Sequence, residues 1–216
     1  LLRALFPEHN RNVLNGLAHR ISRAKDYALS PQDDLSFISH DPEFARFYAR
    51  YEERLREIGN ADFGDLILRP VELLRSSEEV RRRMQDRFRY ILVDEYQDSN
   101  IAQFQLLQLL AGPDSFVCVV GDDDQSIYRF RGAEVRNILT FPESFPDTKV
   151  VRLEQNYRST EPILNVASAV VARNEGRLGK TLFTDKSGGN RPKLLFLNDH
   201  DEEVEFVIQQ VRAAER

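Results

Sequence analysis

The chain has 216 residues, a formal net charge of −5, 41% hydrophobic residues and 30% charged residues, which is ordinary for a globular protein. No apolar run approaches the roughly 20 residues of a membrane span. A single cysteine, Cys118, excludes an internal disulfide and favours a reducing compartment. The four histidines lack the spacing of a metal site. The negative charge argues against nonspecific coating of DNA, but not against a local basic groove.

Residues 1–61 predict a helical segment. Apolar side chains recur at helical spacing along residues 44–58 and give one apolar face. The pair Asp41-Pro42 precedes them, and it predicts a helix N-cap followed by a proline in the first turn. Residues 30–40 contain proline and several aspartates and predict a loop.

Residues 62–148 predict alternating helices and strands, in the order helix, helix, strand, helix, strand, turn and helix. Asp62 is placed to cap the first of these helices. Residues 91–93 are a continuous apolar run, which is typical of a strand buried on both faces, and residues 115–120 predict a second strand. This alternation implies a parallel sheet with right-handed crossovers, and therefore an α/β fold.

Residues 149–216 predict the order strand, helix, loop, strand and helix. The first helix should begin near Glu161-Pro162, after a cap at Ser159 or Thr160. Asp201 is placed to cap the second helix. The two strands are predicted at residues 149–153 and 193–197.

Two adjacent acids, Asp94 and Glu95, follow the first predicted strand directly. In open α/β sheets ligands bind beyond the carboxyl ends of the strands. One acid there can hold a hard cation such as Mg²⁺, and the other can orient or deprotonate a water that attacks a phosphate. The alternative is an acidic turn that caps the following helix.

The second predicted strand runs into residues 121–133, which read GDDDQSIYRFRGA. Gly121 frees the backbone at the strand end. Gln125 can both donate and accept a hydrogen bond, which suits sensing a phosphate or positioning water. Tyr128 and Phe130 alternate with arginines, including Arg131, and this pattern suits stacked bases of a single strand with neutralised phosphates alongside. The alternative is a turn whose aromatic side chains pack into the core.

A third motif, residues 153–160, reads LEQNYRST and ends where a helix is predicted to begin. Tyr157 offers an aromatic face to a nucleobase, and Arg158 offers a fixed cation to a phosphate. The alternative is a core tyrosine beside a surface arginine.

Together the three motifs resemble those of the superfamily 1 UvrD/Rep/PcrA-type ATP-dependent DNA helicases. Residues 94–100 (DEYQDSN) resemble the Walker B segment, or motif II, of that family. Residues 121–133 and 153–160 resemble motifs III and IV, and residues 62–66 (DFGDL) are similar to a further signature. The resemblance covers residues 62–216, whereas the preceding residues resemble only in composition the helical segments that these enzymes insert.

The resemblance implies a partial RecA-like P-loop NTPase fold, with a parallel sheet flanked by helices and an N-terminal helical accessory segment. Residues 1–61 would be that segment, inserted in the first motor domain. Residues 62–148 would be the C-terminal half of the first RecA-like domain, and residues 149–216 the N-terminal part of the second.

The resemblance also implies ATP and Mg²⁺ as cofactors, with ATP in the cleft between two RecA-like domains. Asp94 would hold Mg²⁺, Glu95 would act as the base for the attacking water, and Gln125 would sense the γ-phosphate. Tyr157 would stack on adenine, and Arg158 would reach the γ-phosphate.

Single-stranded and duplex DNA are the implied partners, with movement from 3′ to 5′ in DNA repair or replication, in the bacterial cytoplasm at the nucleoid. Tyr128, Phe130, Arg131 and Phe63 would form the DNA side. Proteins of repair or replication and the remainder of the parent chain would be further partners. Phe130 stands where the family usually has tryptophan, which preserves stacking but removes an N–H donor.

The 216 residues contain no Gly-x-x-x-x-Gly-Lys-Ser/Thr loop, the Walker A element that cradles phosphates. Only Gly179-Lys180-Thr181 comes near, and Asn174 stands where its first glycine should be. The chain is therefore interpreted as an internal fragment that carries half of an ATP site and is inactive alone. The alternatives are a non-enzymatic module that binds nucleic acid or a protein partner, and the motor part of a RecB/AddA-like helicase-nuclease.

Overall fold

The computed structural model describes residues 1–127, 132–174 and 179–215. It divides into two compact units, Leu1–Lys149 and Val150–Arg216, and each is described by itself. Within the described ranges, no helix combines the length and the apolar character that crossing a membrane would require.

The first unit begins with a small helical layer. Helices α1 (Leu2–Leu5), α2 (Arg11–Asp26) and α3 (Phe44–Glu57) surround a core that contains Phe6, Leu17, Ile21, Phe44 and Tyr48. The predicted helical character of this segment and its loop at residues 30–40 are confirmed.

The predicted start of α3 at Asp41-Pro42 is wrong by about one half-turn. The Asp41 carboxylate accepts a hydrogen bond from the Glu43 N–H at 2.9 Å, and the Asp41 carbonyl accepts one from the Phe44 N–H at 3.1 Å. Asp41 therefore closes a local turn, and the helix begins only after that turn, at Phe44.

Helices α4 (Asp65–Ser76) and α5 (Glu78–Arg87) follow a turn at residues 62–64. The Asp62 carboxylate accepts the Asp65 N–H at 2.9 Å, and the Asp65 carboxylate accepts the Asp62 N–H at 3.1 Å. This reciprocal pair satisfies backbone donors that the first turn would otherwise leave open. Asp62 therefore binds the first N–H of α4, although the residue at the N-cap position is Gly64 and not, as predicted, Asp62.

Strands β1 (Tyr90–Val93) and β2 (Phe116–Val119) form a parallel pair, joined by the crossover helix α6 (Ile101–Leu110). Helix α6 starts with a capping box in which Asn100 and Gln103 bond each other's backbone N–H. Short helices α7 (Arg136–Leu139) and α8 (Phe141–Ser144) follow. The α/β class predicted from the alternation is confirmed.

Only one face of the β1–β2 pair is covered in the described part of the first unit. Ile91, Val93, Val117 and Val119 pack against a cluster centred on Tyr96, Leu107 and Phe141. Successive side chains of a strand point to opposite faces. Accordingly, the intervening Tyr90 and Leu92 are 76% and 74% exposed. The prediction of a strand buried on both faces is therefore wrong for this chain.

The second unit contains helices α9 (Glu161–Val171) and α10 (His200–Ala214). Thr160 is at the N-cap of α9, as predicted, but makes no side-chain cap bond. The N-cap of α10 is Asp199 and not Asp201, since the Asp199 carboxylate accepts the Glu202 N–H at 2.9 Å. Asp201 lies inside the first turn instead.

The strands predicted at residues 149–153 and 193–197 do not form in the described structure. Leu153 and Phe196 are 80% and 89% exposed. A strand needs a neighbour to bond its backbone N–H and C=O groups, and the only pairing described in this unit is a parallel bridge between Gln155 and Phe183. The apolar pattern is present, but it has no paired strand beside it.

Asp26, the last residue of α2, connects the helical layer to the α/β part of the first unit. The Asn100 side chain donates to the Asp26 carboxylate at 2.9 Å, and a Cβ added at Gly132 would lie 2.9 Å from the same group. Burial raises the pKa of Asp26 to about 6, against the opposing effects of the Asn100 hydrogen bond and of His19.

We expect Asp26→Asn to stabilise the protein at neutral and higher pH. Because the folded pKa lies above the unfolded value, ionised Asp26 destabilises the folded state. This cost is absent below the unfolded pKa, grows as pH rises, and is complete above about pH 6. Asparagine keeps an acceptor for Asn100 and avoids the buried charge. Melting should show a gain of about 1–3 kcal/mol at about pH 8 that vanishes at about pH 4. An equal effect at both pH values would contradict this account.

Candidate active site

The carboxyl ends of β1 and β2 lie at one edge of the sheet, because the two strands are parallel. The Val120 N–H donates to the Val93 carbonyl at 2.8 Å, and the Tyr96 N–H donates to the Val120 carbonyl at 3.0 Å. The segments that follow the two strands are thereby joined. The structure thus places the acid pair Asp94-Glu95 beside the loop that begins at Gly121, at the ligand-binding edge of such sheets.

Glu95 has a left-handed backbone, with φ 50° and ψ 38°. This conformation is uncommon for a residue other than glycine, asparagine or aspartate. The Asp94 carboxylate accepts the Glu95 N–H at 2.9 Å, and a 3-10 turn, Tyr96–Asp98, follows at once. Both acidic side chains are exposed, so both can reach a ligand. Backbone strain of this kind is concentrated at functional sites.

Gln97 connects the two segments and was not found from the sequence. It is 1% exposed. Its Nε2 donates to Glu95 Oε2 at 2.7 Å, and its Oε1 accepts the Asp122 N–H at 2.9 Å. A carboxylate can only accept and a backbone N–H can only donate, which fixes the orientation of the amide. No periodicity marks a buried polar side chain in a turn, so the sequence gives no signal for this role.

Gly121 is required for space and not, as predicted, for backbone freedom. It is not among the glycines with positive φ. A Cβ at this position would lie 2.7 Å from Gln97 Oε1 and 2.8 Å from Ile138 Cδ1. Any larger residue would therefore push Gln97 away from Glu95 and Asp122. Close packing of this kind leaves little room for adjustment.

A cavity of about 310 Å³ opens at this edge and is lined by Asp94, Glu95, Asp98 and Gln103, among others. Asp98 Oδ1 is buried and has no hydrogen-bond partner among the described residues. Oxygen ligands of this type suit Mg²⁺, which takes one or two carboxylates and keeps several waters. A further group of carboxylates, Asp122, Asp123 and Asp124, lies within 4.8 Å of one another in the adjoining loop.

Gln125 lies in the same loop, within the 3-10 turn Asp123–Gln125. Its side-chain amide donates to the Asp122 carboxylate at 2.8 Å, and the residue is exposed. The loop therefore holds Gln125 at the same edge as the acid pair. The predicted DNA-contacting residues Tyr128, Phe130 and Arg131 lie outside the described residues.

In the second unit, Tyr157 and Arg158 lie in an exposed turn that the side chain of Asn156 fixes. The Asn156 side chain accepts the N–H groups of Arg158 and Ser159 at 3.0 and 2.7 Å, and the Asn156 N–H donates to the Phe183 carbonyl at 2.7 Å. Tyr157 is 74% exposed, and its hydroxyl donates to Gln155 Oε1 at 2.7 Å. Within the described second unit, Tyr157 is therefore not a core residue.

Phe63 lies in the turn before α4 and not in the segments that carry the acid pair. Its side chain is 90% exposed, although it belongs to a largely apolar residue type. An exposed aromatic ring of this kind presents a large face on which a ligand ring can stack.

Comparison with known proteins identifies the family of the chain. Residues 3–146 match the family model of the UvrD/REP helicase N-terminal domain, and residues 151–216 match that of the UvrD-like helicase C-terminal domain. The chain belongs to the UvrD/REP helicase family. The class predicted from the three motifs is thereby confirmed.

Individual relatives are similar along most of the chain. It is 41% identical over 209 residues to the ATP-dependent DNA helicase UvrD1 of Mycobacterium tuberculosis. The aligned region covers 91% of this chain and 27% of the relative. It is 42% identical over 208 residues to the ATP-dependent DNA helicase Rep of Escherichia coli, covering 95% and 31%. It is 40% identical over 198 residues to the ATP-dependent DNA helicase PcrA of Staphylococcus epidermidis, covering 91% and 27%. The chain thus spans less than a third of the length of these relatives.

Proposed function

We propose that the full-length protein containing this chain is an ATP-driven DNA translocase and helicase. The observation that carries the proposal is the joined edge of β1 and β2, where Gln97 bonds both Glu95 and the loop of Gln125. A module that only bound nucleic acid would have no need for a strained acidic residue bonded to such a loop. Membership of the UvrD/REP family and the names of the relatives support the same function.

Asp94, Glu95 and Gln125 would act on the phosphates of ATP. Asp94 would hold Mg²⁺, which when bound neutralises charge on the phosphates. Glu95 would accept a proton from the attacking water. Gln125 would donate the second N–H of its exposed side-chain amide to the γ-phosphate. Its link to Asp122, and the bond of Asp122 to Gln97, would transmit the change to the loop downstream.

The second unit, proposed as the N-terminal part of a second RecA-like domain at residues 149–216, would supply Tyr157 and Arg158. The exposed ring of Tyr157 would stack on adenine. Arg158 would reach the γ-phosphate, for which a planar guanidinium is well suited. Residues 62–148 would be the C-terminal half of the first RecA-like domain, with residues 1–61 as its helical insertion.

Single-stranded DNA would be gripped by Phe63 together with Tyr128, Phe130 and Arg131. Aromatic faces stack on bases of any sequence, while arginine neutralises the phosphates. The exposure of Phe63 supports its share in this contact. We further propose movement from 3′ to 5′, a role in DNA repair or replication together with proteins of those processes, and location in the cytoplasm at the nucleoid.

ATP hydrolysis and strand separation by the full-length protein test this function. Hydrolysis should be stimulated by single-stranded DNA, and a duplex with a 3′ tail should be unwound in preference to one with a 5′ tail. Binding of DNA with no ATP turnover would support the non-enzymatic module instead. Nuclease activity coupled to unwinding would support the RecB/AddA-like alternative.

The 216-residue chain alone should hydrolyse ATP negligibly, with or without DNA. Its sequence lacks the Gly-Lys-Ser/Thr loop whose N–H groups and lysine bind the phosphates. The measurement is phosphate release by the purified chain beside the full-length protein. Robust turnover by the chain that Glu95→Gln abolishes would show that these residues form a complete site.

Gln97→Glu should reduce DNA-stimulated ATP hydrolysis by the full-length protein about 10- to 100-fold. The new carboxylate would repel Glu95 where an amide now donates to it, and removal of a positioning contact displaces the reacting groups. Gln108→Glu, an exposed change of the same chemistry in α6, is the matched control and should leave the rate intact. Equal rates for both variants would exclude Gln97 from positioning Glu95.

A further inference from the structure

A buried lysine lies beneath the turn that carries Phe63. Lys25, in α2, has a side chain that is 0% exposed, and its ammonium lies 2.7 Å from Glu52, 2.7 Å from Asp62 and 2.9 Å from Asp65. A charge buried this deeply is stable only when it is paired and hydrogen-bonded. Three carboxylates provide that pairing: one from α3, one from the turn before α4 and one from the start of α4.

Two of these carboxylates flank Phe63 in the sequence. Asp62 precedes it and Asp65 follows Gly64, and both bind the same ammonium. The two aspartates also bond each other's backbone N–H across the turn. The turn is therefore closed on itself and attached at both ends to Lys25, while the ring between the attachments is 90% exposed.

Two more side chains, Tyr51 and Arg69, bind the carboxylates of this cluster of Lys25, Glu52, Asp62 and Asp65. The Tyr51 hydroxyl donates to Asp62 at 2.9 Å, and the Arg69 guanidinium contacts both Glu52 and Asp65. Burial lowers the pKa of Lys25, but the hydrogen bonds of Asp62, Glu52 and Asp65 more than offset this and raise it above the ordinary value. Lys25 therefore stays charged across the physiological range.

Gly64 leaves room for the lysine. A Cβ at position 64 would lie 2.6 Å from Lys25 Cδ and 2.8 Å from Lys25 Cβ. The backbone of Gly64 is helical, with φ −65° and ψ −35°, so alanine would be acceptable there but for Lys25. The glycine thus serves the close approach of turn and lysine.

We propose that Lys25 and its carboxylates are a positioning device that presents Phe63 as a rigid stacking platform for a base of single-stranded DNA. A mobile turn would lose backbone conformational entropy when its ring stacked on a base, whereas a turn that is already fixed loses little. The device lies in the helical layer, outside the sheet edge that carries the acid pair. This inference rests on the proposed function, which assigns single-stranded DNA to Phe63.

Affinity of the full-length protein for a short oligothymidylate tests the device. Phe63→Ala should weaken binding about 5- to 100-fold, the loss of one stacked base. Gly64→Ala should cause most of that loss, because its methyl group displaces Lys25 from the turn. In a protein that already carries Phe63→Ala, Gly64→Ala should have almost no further effect. Gly16→Ala, in α2 with no atom within 4 Å of the added Cβ, is the control and should bind normally.

Tyr51→Phe is a smaller change to the same cluster, and it tests the positioning role of the cluster if Gly64→Ala does not fold. It removes only the hydroxyl that donates to Asp62, and it should weaken binding a few-fold when Phe63 is present and not when it is absent. The proposal would be overturned if Gly64→Ala or Tyr51→Phe weakened DNA binding by the same factor with and without Phe63. Normal binding by both of these variants would overturn it as well. Normal binding by Phe63→Ala would also overturn it. DNA-stimulated ATP hydrolysis by the unmodified full-length protein is a separate test, and its absence would contradict the proposed function and not the positioning role of the cluster.

Discussion

Replacement of Glu95 with glutamine should reduce ATP hydrolysis by the full-length protein about 10²- to 10⁴-fold, the usual cost of losing a general base. Binding of ATP should change little. Glutamine has the same shape, and its carbonyl oxygen can still accept the hydrogen bond that Gln97 now donates to the carboxylate. The loss should therefore reflect the missing proton acceptor and not a displaced side chain.

Single-turnover hydrolysis and equilibrium binding of ATP separate these effects. Glu143→Gln, an exposed change in α8, provides the matched control and should behave as the unmodified protein. A normal turnover number for Glu95→Gln would remove Glu95 from the catalytic role. Weaker ATP binding with normal chemistry would assign it to binding instead.

Lys25→Met should cost about 3–5 kcal/mol of local stability, because it leaves buried carboxylates without their common cation. Glu52 and Asp65 are each 2% exposed. Among the described residues, Arg69 is the one cation that would still pair with them. Methionine fills similar space, so the loss reports charge more than volume. Hydrogen exchange should show reduced protection in α2, α3 and α4.

The cost should shrink as pH falls to about 5, since an unpaired buried carboxylate takes up a proton more readily. Burial already raises the pKa of Glu52 even with Lys25 opposite, and removal of the lysine would raise it further. Lys149→Met, at an exposed lysine, is the control and should leave protection unchanged. A small, pH-independent effect of Lys25→Met would show that the cluster contributes little to stability.

The sheet edge was predictable because its signals are local. An apolar run ending in Asp94-Glu95 and a second ending in Gly121 predict two parallel strands, and parallel strands bring their carboxyl ends together. Polar contacts between distant segments leave no such pattern. Lys25 and Asp62 are 37 positions apart in the sequence, and nothing in the periodicity of α2 marks a lysine as buried.

The two strands predicted in the second unit show that a local signal can also mislead. Residues around Leu153 and Phe196 have the apolar character of strands, and that character alone predicts strands there. Strand formation also requires a partner for the backbone, and that requirement is not written in the segment itself. The same reason explains why Leu92 is exposed: its run of apolar residues specifies a strand, but not what covers its second face.

Because the backbone of Glu95 is left-handed, stability and the proposed activity favour different residues at this one position. Glycine, and to a lesser degree asparagine, adopts that conformation more easily than glutamate, by roughly 1 kcal/mol. The side chain assigned to the chemistry is therefore one that the fold disfavours. A selection of variants for heat resistance alone would enrich glycine or asparagine at position 95, and the molecules that survived best would be those least able to hydrolyse ATP.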